Sequence, residues 1–166
     1  MNQALMNGTA PPEFYADPNN SLGYLCRIAF RSFSRALEKR TLPHGVTAGQ
    51  WRFLRVLWLE DGLTQRELSR RVGMREPTTV TALKSLEASG FVRREQSALD
   101  RRKVHVFLTP LAEGLRATLA PYVAEVNEIA TDGLSEEEVV TLRRLLRHIG
   151  RNLAPETEGP LTDSAA

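Results

Sequence analysis

The feature that most constrains this fold is a change of periodicity in the middle of the chain. Residues 64–72 and 77–90 carry apolar side chains at helical spacing, and Gly73 between them suits the left-handed turn that ends a helix. Residues 91–95 and 103–108 follow, with the alternation of two short strands joined by a polar loop. This order of helix, tight turn, helix and β-hairpin predicts a winged helix-turn-helix.

Three of the predicted helices begin with the same signature, a capping box. In this arrangement a hydroxyl accepts a hydrogen bond from the amide three residues later, and the side chain of that later residue returns to the first amide. A two-part signature that occurs three times rarely arises by chance, so these helix starts are well defined. The pairs are Thr47 with Gln50, Thr64 with Glu67, and Ser135 with Glu138.

Four further helices are predicted outside the central pair, at residues 21–40, 47–60, 110–131 and 136–152. Pro121 predicts a kink in the third of them. The first and the last two carry more apolar surface than a small winged helix can cover. We therefore expect these three helices to pack against a second copy, in a two-fold homodimer whose recognition helices lie about 34 Å apart.

The expected fold is mainly α, with about six helices and a β-hairpin wing. The chain has 166 residues, 42% of them hydrophobic, which is enough for one domain with a real core. The predicted organisation is a tail at residues 1–20, a dimerisation helix at 21–42, a winged helix-turn-helix region at 43–109, dimerisation helices at 110–152 and a second tail at 153–166.

Positive charge is concentrated in the central unit. The whole chain has a net charge of only +2, but residues 64–103 contain ten basic and five acidic side chains. Nineteen of the 22 cations are arginines, whose planar guanidinium suits phosphates and guanine edges. A basic winged helix predicts binding to double-stranded DNA. The alternative, a winged helix that binds another protein, does not require arginines at both the recognition region and the wing tip.

The second helix of the central pair is the predicted reader of the major groove. Val80, Leu83 and Leu86 are expected to face the core, which leaves the opposite face for bases and phosphates. At the wing tip, arginines can enter a narrow minor groove, and Asp100 can hold one guanidinium in place. The predicted DNA-binding residues are Thr64, Gln65, Arg75, Pro77, Thr78, Thr81, Lys84, Ser85, Asp100, Arg101 and Arg102.

Two pairs of residues, one from this set and one from the neighbouring strand, are expected to contact the DNA backbone. Thr64 and Gln65 begin the first helix of the pair, whose free amides can hold a phosphate. Arg93 and Arg94, on the first strand, are expected to meet phosphates or solvent.

Several other classes of protein are disfavoured. The chain has no Gly-rich phosphate loop and no nucleophile with a base at a suggestive spacing, so an enzyme is the least favoured alternative. The spacing of His44, His105 and His148 does not match metal ligands, and neither a metal nor a cofactor is expected. No apolar run approaches the roughly 20 residues of a membrane span, and no signal pattern starts the chain, so a cytoplasmic protein is expected.

The sequence resembles the MarR family of bacterial transcriptional regulators over about residues 21–152. Four segments carry the resemblance in the family's order, and the last is the most specific, because it matches the family's Asp-x-Arg followed by Leu-Thr at the right spacing. The segments are Leu63-Thr64-Gln65-Arg66-Glu67-Leu68, Pro77-Thr78-Thr79-Val80-Thr81 through Leu86-Glu87, Gly90-Phe91-Val92, and Asp100-Arg101-Arg102 with Val106-Phe107-Leu108-Thr109.

This resemblance implies a winged-helix homodimer that represses a nearby promoter and releases its pseudo-palindromic operator when a small effector binds. Some members of the family respond to aromatic acids or their coenzyme A esters. The resemblance places the effector between the dimerisation helices and the winged helix, although core packing is the alternative for its apolar candidates. The residues implied are Phe33, Leu37, His44, Trp51 and Arg52.

Other members of the family respond to peroxide through a cysteine of the first helix, which makes Cys26 a redox candidate. Cys26 is the one cysteine of the chain, so no disulfide framework is possible. It lies near the apolar stripe that contains Leu25 and Ile28. This position predicts a buried structural thiol in preference to a reactive one.

Overall fold

The computed structural model describes residues 17–157. Within this range the chain forms six α-helices and three short strands, which confirms the predicted class, mainly α with a β wing. The parts of the predicted tails at residues 1–16 and 158–166 lie outside the described residues. In chain order the elements are α1 (Leu22–Thr41), α2 (Ala48–Leu57), β1 (Leu63–Thr64), α3 (Gln65–Val72), α4 (Glu76–Ala88), β2 (Val92–Gln96), β3 (Val104–Leu108), α5 (Pro110–Ala130) and α6 (Glu136–Thr157).

All three predicted capping boxes are present. At the start of α2 the Gln50 amide donates to Thr47 Oγ1 at 3.2 Å, and the Thr47 amide donates to Gln50 Oε1 at 3.0 Å. The starts of α3 and α6 repeat this reciprocal pattern. Because the capping residues Glu67 and Glu138 accept these hydrogen bonds as carboxylates, their pKa values lie below the ordinary value of glutamate.

Two helix ends differ from the prediction. α2 ends at Leu57 and not at residue 60, because the chain turns into β1 through Gly62, which has a left-handed φ of 73°. α6 continues through residues 153–157, which were expected to belong to the tail. α5 runs through Pro121 without ending there, and the kink at this residue stays a prediction.

The wing is a sheet of three antiparallel strands in the order β1, β3, β2. β2 and β3 form the predicted hairpin, with Arg94 opposite Val106. β1 is an addition to the predicted fold, and it pairs Leu63 with Val106 and Thr64 with His105. A strand of two residues is too short to show alternation, so periodicity cannot reveal it.

The core lies where α2, α3 and α4 pack against the wing sheet and the start of α5. On α4, Leu83 and Leu86 are fully buried as predicted. The third inward residue is Thr79, which is 0% exposed, and the prediction of Val80 is wrong because that side chain is only half-buried. Positions three and four residues before Leu83 both lie near the inner face of a helix, so local packing and not polarity selects between them.

Contacts divide the chain into two units, residues 1–126 and 127–166. The first contains the core, and the second contains the end of α5 together with α6. Both α1 and α6 expose large apolar side chains, and no described side chain of α6 is buried. Within residues 17–157, no helix combines the length and apolar character needed to cross a membrane.

Candidate nucleic-acid interface

α3 and α4 are joined by a tight turn at Gly73. Gly73 has a left-handed φ of 72°, and its amide donates to the Arg70 carbonyl at 3.1 Å. The Met74 amide donates to the Ser69 carbonyl at 2.9 Å. These hydrogen bonds close the end of α3, so α4 begins only three residues later, with Arg75 in an extended conformation at its N-terminus.

The predicted reading face of α4 is exposed. Gln50 is buried and anchors the far end of this helix to α2, since its Nε2 donates to Ser89 Oγ at 2.9 Å. The same Nε2 lies 3.5 Å from Ser85 Oγ, so Ser85 is partly engaged within the chain. The Thr81 hydroxyl donates to the Pro77 carbonyl at 3.3 Å and keeps acceptor capacity. The exposed side chains are Thr78, Thr81, Lys84 and Ser85.

The start of α3 is less open to an anion than a free helix start. Thr64 Oγ1 donates to Glu67 Oε2 at 2.6 Å, and the Glu67 amide donates to Thr64 Oγ1 at 3.2 Å. A phosphate bound here would meet the carboxylate of Glu67. Gln65 Oε1 is buried and has no hydrogen-bond partner in the part of the chain that the structure describes. The phosphate contact by Thr64 and Gln65 stays a prediction.

The wing tip, residues 97–102, is an ordered turn. Asp100 Oδ1 accepts from the Arg102 amide at 3.0 Å, and Gln96 Nε2 donates to the Arg101 carbonyl at 2.6 Å. Asp100 therefore orders the backbone of the turn, and the expectation that it holds a guanidinium is corrected. The side chains of Arg101 and Arg102 are exposed, and neither forms an ion pair within residues 17–157.

The wing base, which we define as Arg93, Arg94 and their partners, has a different environment. Arg93 forms an ion pair with Glu95, and its guanidinium lies 4.5 Å from the centroid of the Phe107 ring. Arg94 donates to Glu87 Oε2 from Nε at 3.1 Å and from Nη2 at 2.6 Å. These hydrogen bonds hold the pKa of Glu87 below its ordinary value. Both arginines, expected to meet phosphates or solvent, thus have carboxylate partners.

The residues implied as effector ligands do not share one environment. Trp51 is buried in the core and lies edge-on to Trp58. Arg52 has its guanidinium 4.8 Å from the Phe30 ring, and His44 Nε2 lies 3.1 Å from the hydroxyl of Tyr122 on α5. The other two candidates lie on α1, where Phe33 is exposed and Leu37 is half-buried.

One cleft of the first unit has a volume of about 340 Å³ and lies elsewhere. Its lining contains none of the five effector candidates. The residues that line it are Leu57, Trp58, Leu59, Asp61, Leu108, Glu113 and Arg116. The assignment of the five candidates to an effector site therefore stays a prediction.

Cys26 is exposed in the chain, which corrects the expectation of a buried thiol. The apolar stripe beside it includes Leu25 and Ile28, and both are exposed as well. Helical spacing identifies an apolar face, but it does not show whether the same chain covers that face. Among the described residues, no group of three or more potential ligands could hold a metal ion.

The paired helices α3 and α4 and the wing sheet that follows them identify this chain as a winged helix-turn-helix protein. Residues 44–103 match the sequence pattern of the MarR family. The HTH-type transcriptional regulator TtmR of Methylorubrum extorquens (strain PA1) is 36% identical over 106 residues, which are 62% of this chain and 54% of that protein. The chain thus spans about half the length of this curated relative.

Solved structures show the same architecture. A MarR transcriptional regulator from Methanosarcina mazei Go1 is 27% identical with a TM-score of 0.74, covering 79% of this chain and 94% of that one. BpsR of Bordetella bronchiseptica, described for regulation of its DNA binding by 6-hydroxynicotinic acid, is 23% identical with a TM-score of 0.71 over 78% and 98%. Residues 44–103, the winged helix-turn-helix region of the chain, therefore match the MarR family, as the resemblance of the sequence predicts.

Proposed function

We propose that this chain is a sequence-specific, double-stranded DNA-binding transcriptional regulator that acts as a homodimer. The observation that carries the proposal is the pairing of two exposed surfaces in one winged helix. The first is the outer face of α4, and the second is the wing tip, whose two arginines form no ion pair among the described residues. The match of residues 44–103 to the MarR family and the likeness to TtmR support the same function.

Each surface suits one groove of B-form DNA. The major groove is about 12 Å wide and admits a helix, so Thr78, Thr81 and Lys84 would reach base edges or phosphates from α4. A narrow minor groove has an enhanced negative potential, which favours the insertion of arginine from a turn. The ordered backbone of the wing tip reduces the entropy lost when Arg101 and Arg102 bind.

The apolar faces of α1 and α6 support the homodimer. A contiguous exposed apolar face on a monomer marks an interaction site, and a second copy would cover both helices. The exposed residues on α1 include Leu22, Leu25, Ile28 and Phe33, and those on α6 include Leu142, Leu145, Leu146 and Leu153. Sedimentation at micromolar concentration should give a dimer, and a stable monomer would contradict this part of the proposal.

We further propose that a small effector, an aromatic acid or an acyl-coenzyme A, releases the DNA. The regulation of BpsR by 6-hydroxynicotinic acid supports an aromatic acid as the effector class. The predicted site includes His44, Arg52 and Phe33. A cation at Arg52 and a hydrogen-bonding group at His44 suit a carboxylate. Titration of protein–DNA complexes with benzoate- and nicotinate-type acids tests this step.

A redox-responsive regulator is the second candidate, and the exposure of Cys26 favours it. Peroxide should then weaken DNA binding by the unaltered chain but not by Cys26→Ser. If the two proteins lose DNA equally, Cys26 is not the sensor, and an effector-responsive regulator is retained.

Selection from a random pool of duplexes tests the DNA-binding proposal itself. A dimeric winged helix should enrich a pseudo-palindrome whose half-sites lie about one helical turn, or a multiple of it, apart. Its affinity should fall steeply with salt, because phosphate contacts release counterions. A chain that enriches no sequence and shows a flat salt response would instead fit the protein-binding alternative.

A further inference from the structure

We propose that Glu87 and Arg94 are positioning residues for the wing, because their ion pair sets the angle between α4 and the hairpin. This angle determines where Arg101 and Arg102 meet the DNA. The inference rests on the proposed function, since it requires that the wing contacts DNA.

The Glu87–Arg94 pair links the recognition helix to the wing directly. Glu87 lies in the last turn of α4 and Arg94 in the middle of β2, and the chain reverses between them at Gly90, where φ is 73°. Two N–H groups of one guanidinium bind the same carboxylate oxygen. Among residues 17–157, no other ion pair joins α4 to a strand of the wing.

The second strand of the hairpin is attached to a different part of the molecule. The Leu108 amide donates to Asp61 Oδ1 at 2.8 Å, and His105 Nδ1 lies 2.9 Å from the Gly62 carbonyl. These contacts hold β3 to the segment between α2 and α3. At its start β2 is joined to α4 by the Phe91 amide, which donates to the Leu86 carbonyl at 2.9 Å, and the side chain of Arg94 adds a second link further along the strand.

The length of the hairpin amplifies a small change at its base. From Arg94 to Ser97, where the turn of the wing tip begins, the chain extends over three residue steps, or roughly 10 Å at about 3.3 Å each. A rotation of about 5° over this length moves the start of the tip by about 1 Å. Hydrogen bonds tolerate only about 0.5 Å of variation in length, so such a movement separates the tip arginines from their partners.

Substitution of Glu87 by glutamine separates this proposal from simple electrostatics, because the two predict opposite signs. If charge alone mattered, Glu87→Gln would raise DNA affinity by removing a negative charge. The proposal predicts that Glu87→Gln lowers DNA affinity about tenfold, which is part of the loss expected when a wing contact is removed entirely. Glu95→Gln is the matched control, since Glu95 pairs with Arg93 within a single strand, and it should raise affinity slightly.

The probe is a duplex of about three helical turns that the unaltered full-length chain selects from a random pool. Fluorescence anisotropy measures the affinity of each variant. On a background that carries both Arg101→Ala and Arg102→Ala, Glu87→Gln should change affinity by less than about twofold, because the contacts that it positions are already absent. The reversed pair, Glu87→Arg with Arg94→Glu, should bind more tightly than Glu87→Arg alone.

Three outcomes would overturn the proposal. Glu87→Gln could raise affinity as Glu95→Gln does, or it could cost the same with and without the arginines at positions 101 and 102. If Arg102→Ala itself leaves affinity unchanged, the wing assignment of the proposed function fails, and the positioning role fails with it. Circular dichroism checks the fold of every variant. If Glu87→Gln does not fold, the reversed pair is the test. A reversed pair that folds but no longer binds DNA counts against the proposal.

Discussion

The wing contains two pairs of arginines in contrasting surroundings. At the base, Arg93 and Arg94 each have a glutamate partner, and at the tip Arg101 and Arg102 form no ion pair within residues 17–157. All four are arginines of the same hairpin. The contrast teaches that a carboxylate within reach decides whether an arginine holds the fold or remains available to a ligand.

The ion pairs within the chain reduce the positive charge of residues 64–103 that is available to DNA. Residues 64–103 contain ten cations, but four of them already have a carboxylate partner among the described residues. The charge that remains for DNA is therefore concentrated at the tip of the wing and on α4. The four paired cations are Arg66, Arg71, Arg93 and Arg94.

The largest expected effect is on the tip. Arg102→Ala should weaken binding to a selected duplex by about 10- to 100-fold, the loss expected of an arginine that contacts DNA, without changing the dimer. Arg93→Ala should cost less than about threefold, because its charge is already neutralised by Glu95. Anisotropy titrations of both variants make the comparison. Equal losses would show that the pairing seen at the base does not matter for DNA binding.

The second effect concerns α4, whose cation Lys84 is also unpaired within the described residues. Thr81→Ala and Lys84→Ala should each weaken binding to the selected duplex about three- to tenfold more than binding to random DNA. Parallel titrations with the two duplexes measure this difference. If affinity for both falls equally, these side chains position the helix on the backbone and do not read bases.

The smallest expected effect is a loss of stability at low pH, and it concerns the wing base. Arg94 lowers the pKa of Glu87, so the stabilisation from this pair is present at neutral pH and is lost as the pH falls through the lowered pKa of Glu87. The difference in Tm between the unaltered chain and Glu87→Gln should therefore shrink as the pH falls from about 6 to about 3. Glu113→Gln, at a carboxylate without an ion pair among the described residues, is the control. A difference that stays constant with pH would contradict the role of the ion pair.

Much of the fold is predictable because its determinants are local. Each capping box depends on two residues three positions apart, and all three boxes are present. The turn at Gly73 and the alternation of β3 are equally short in range. The exposed positions Thr78, Thr81 and Lys84 follow from helical spacing in the same way.

The remaining features depend on contacts between distant residues or on packing. The bond between Arg94 and Glu87 spans a chain reversal, so its geometry is set by the angle between a helix and a strand. Thr79 and not Val80 faces the core because of the way α4 packs against its neighbours. A polar residue adds nothing to the apolar periodicity of the helix, so the sequence does not reveal this position. The exposure of Cys26 depends on what covers α1, which spacing along one helix does not reveal.

The position of the two tryptophans has a practical consequence. Trp51 and Trp58 are the only tryptophans of the chain; their ring centroids lie 5.4 Å apart, and Trp58 Nε1 donates to the Ala112 carbonyl at 2.9 Å. Ala112 is in the first turn of α5, directly after the wing. Intrinsic fluorescence of the unlabelled chain thus reports on the junction between the winged helix and α5. A change in emission on addition of DNA or a small acid would register movement at this junction without an attached dye.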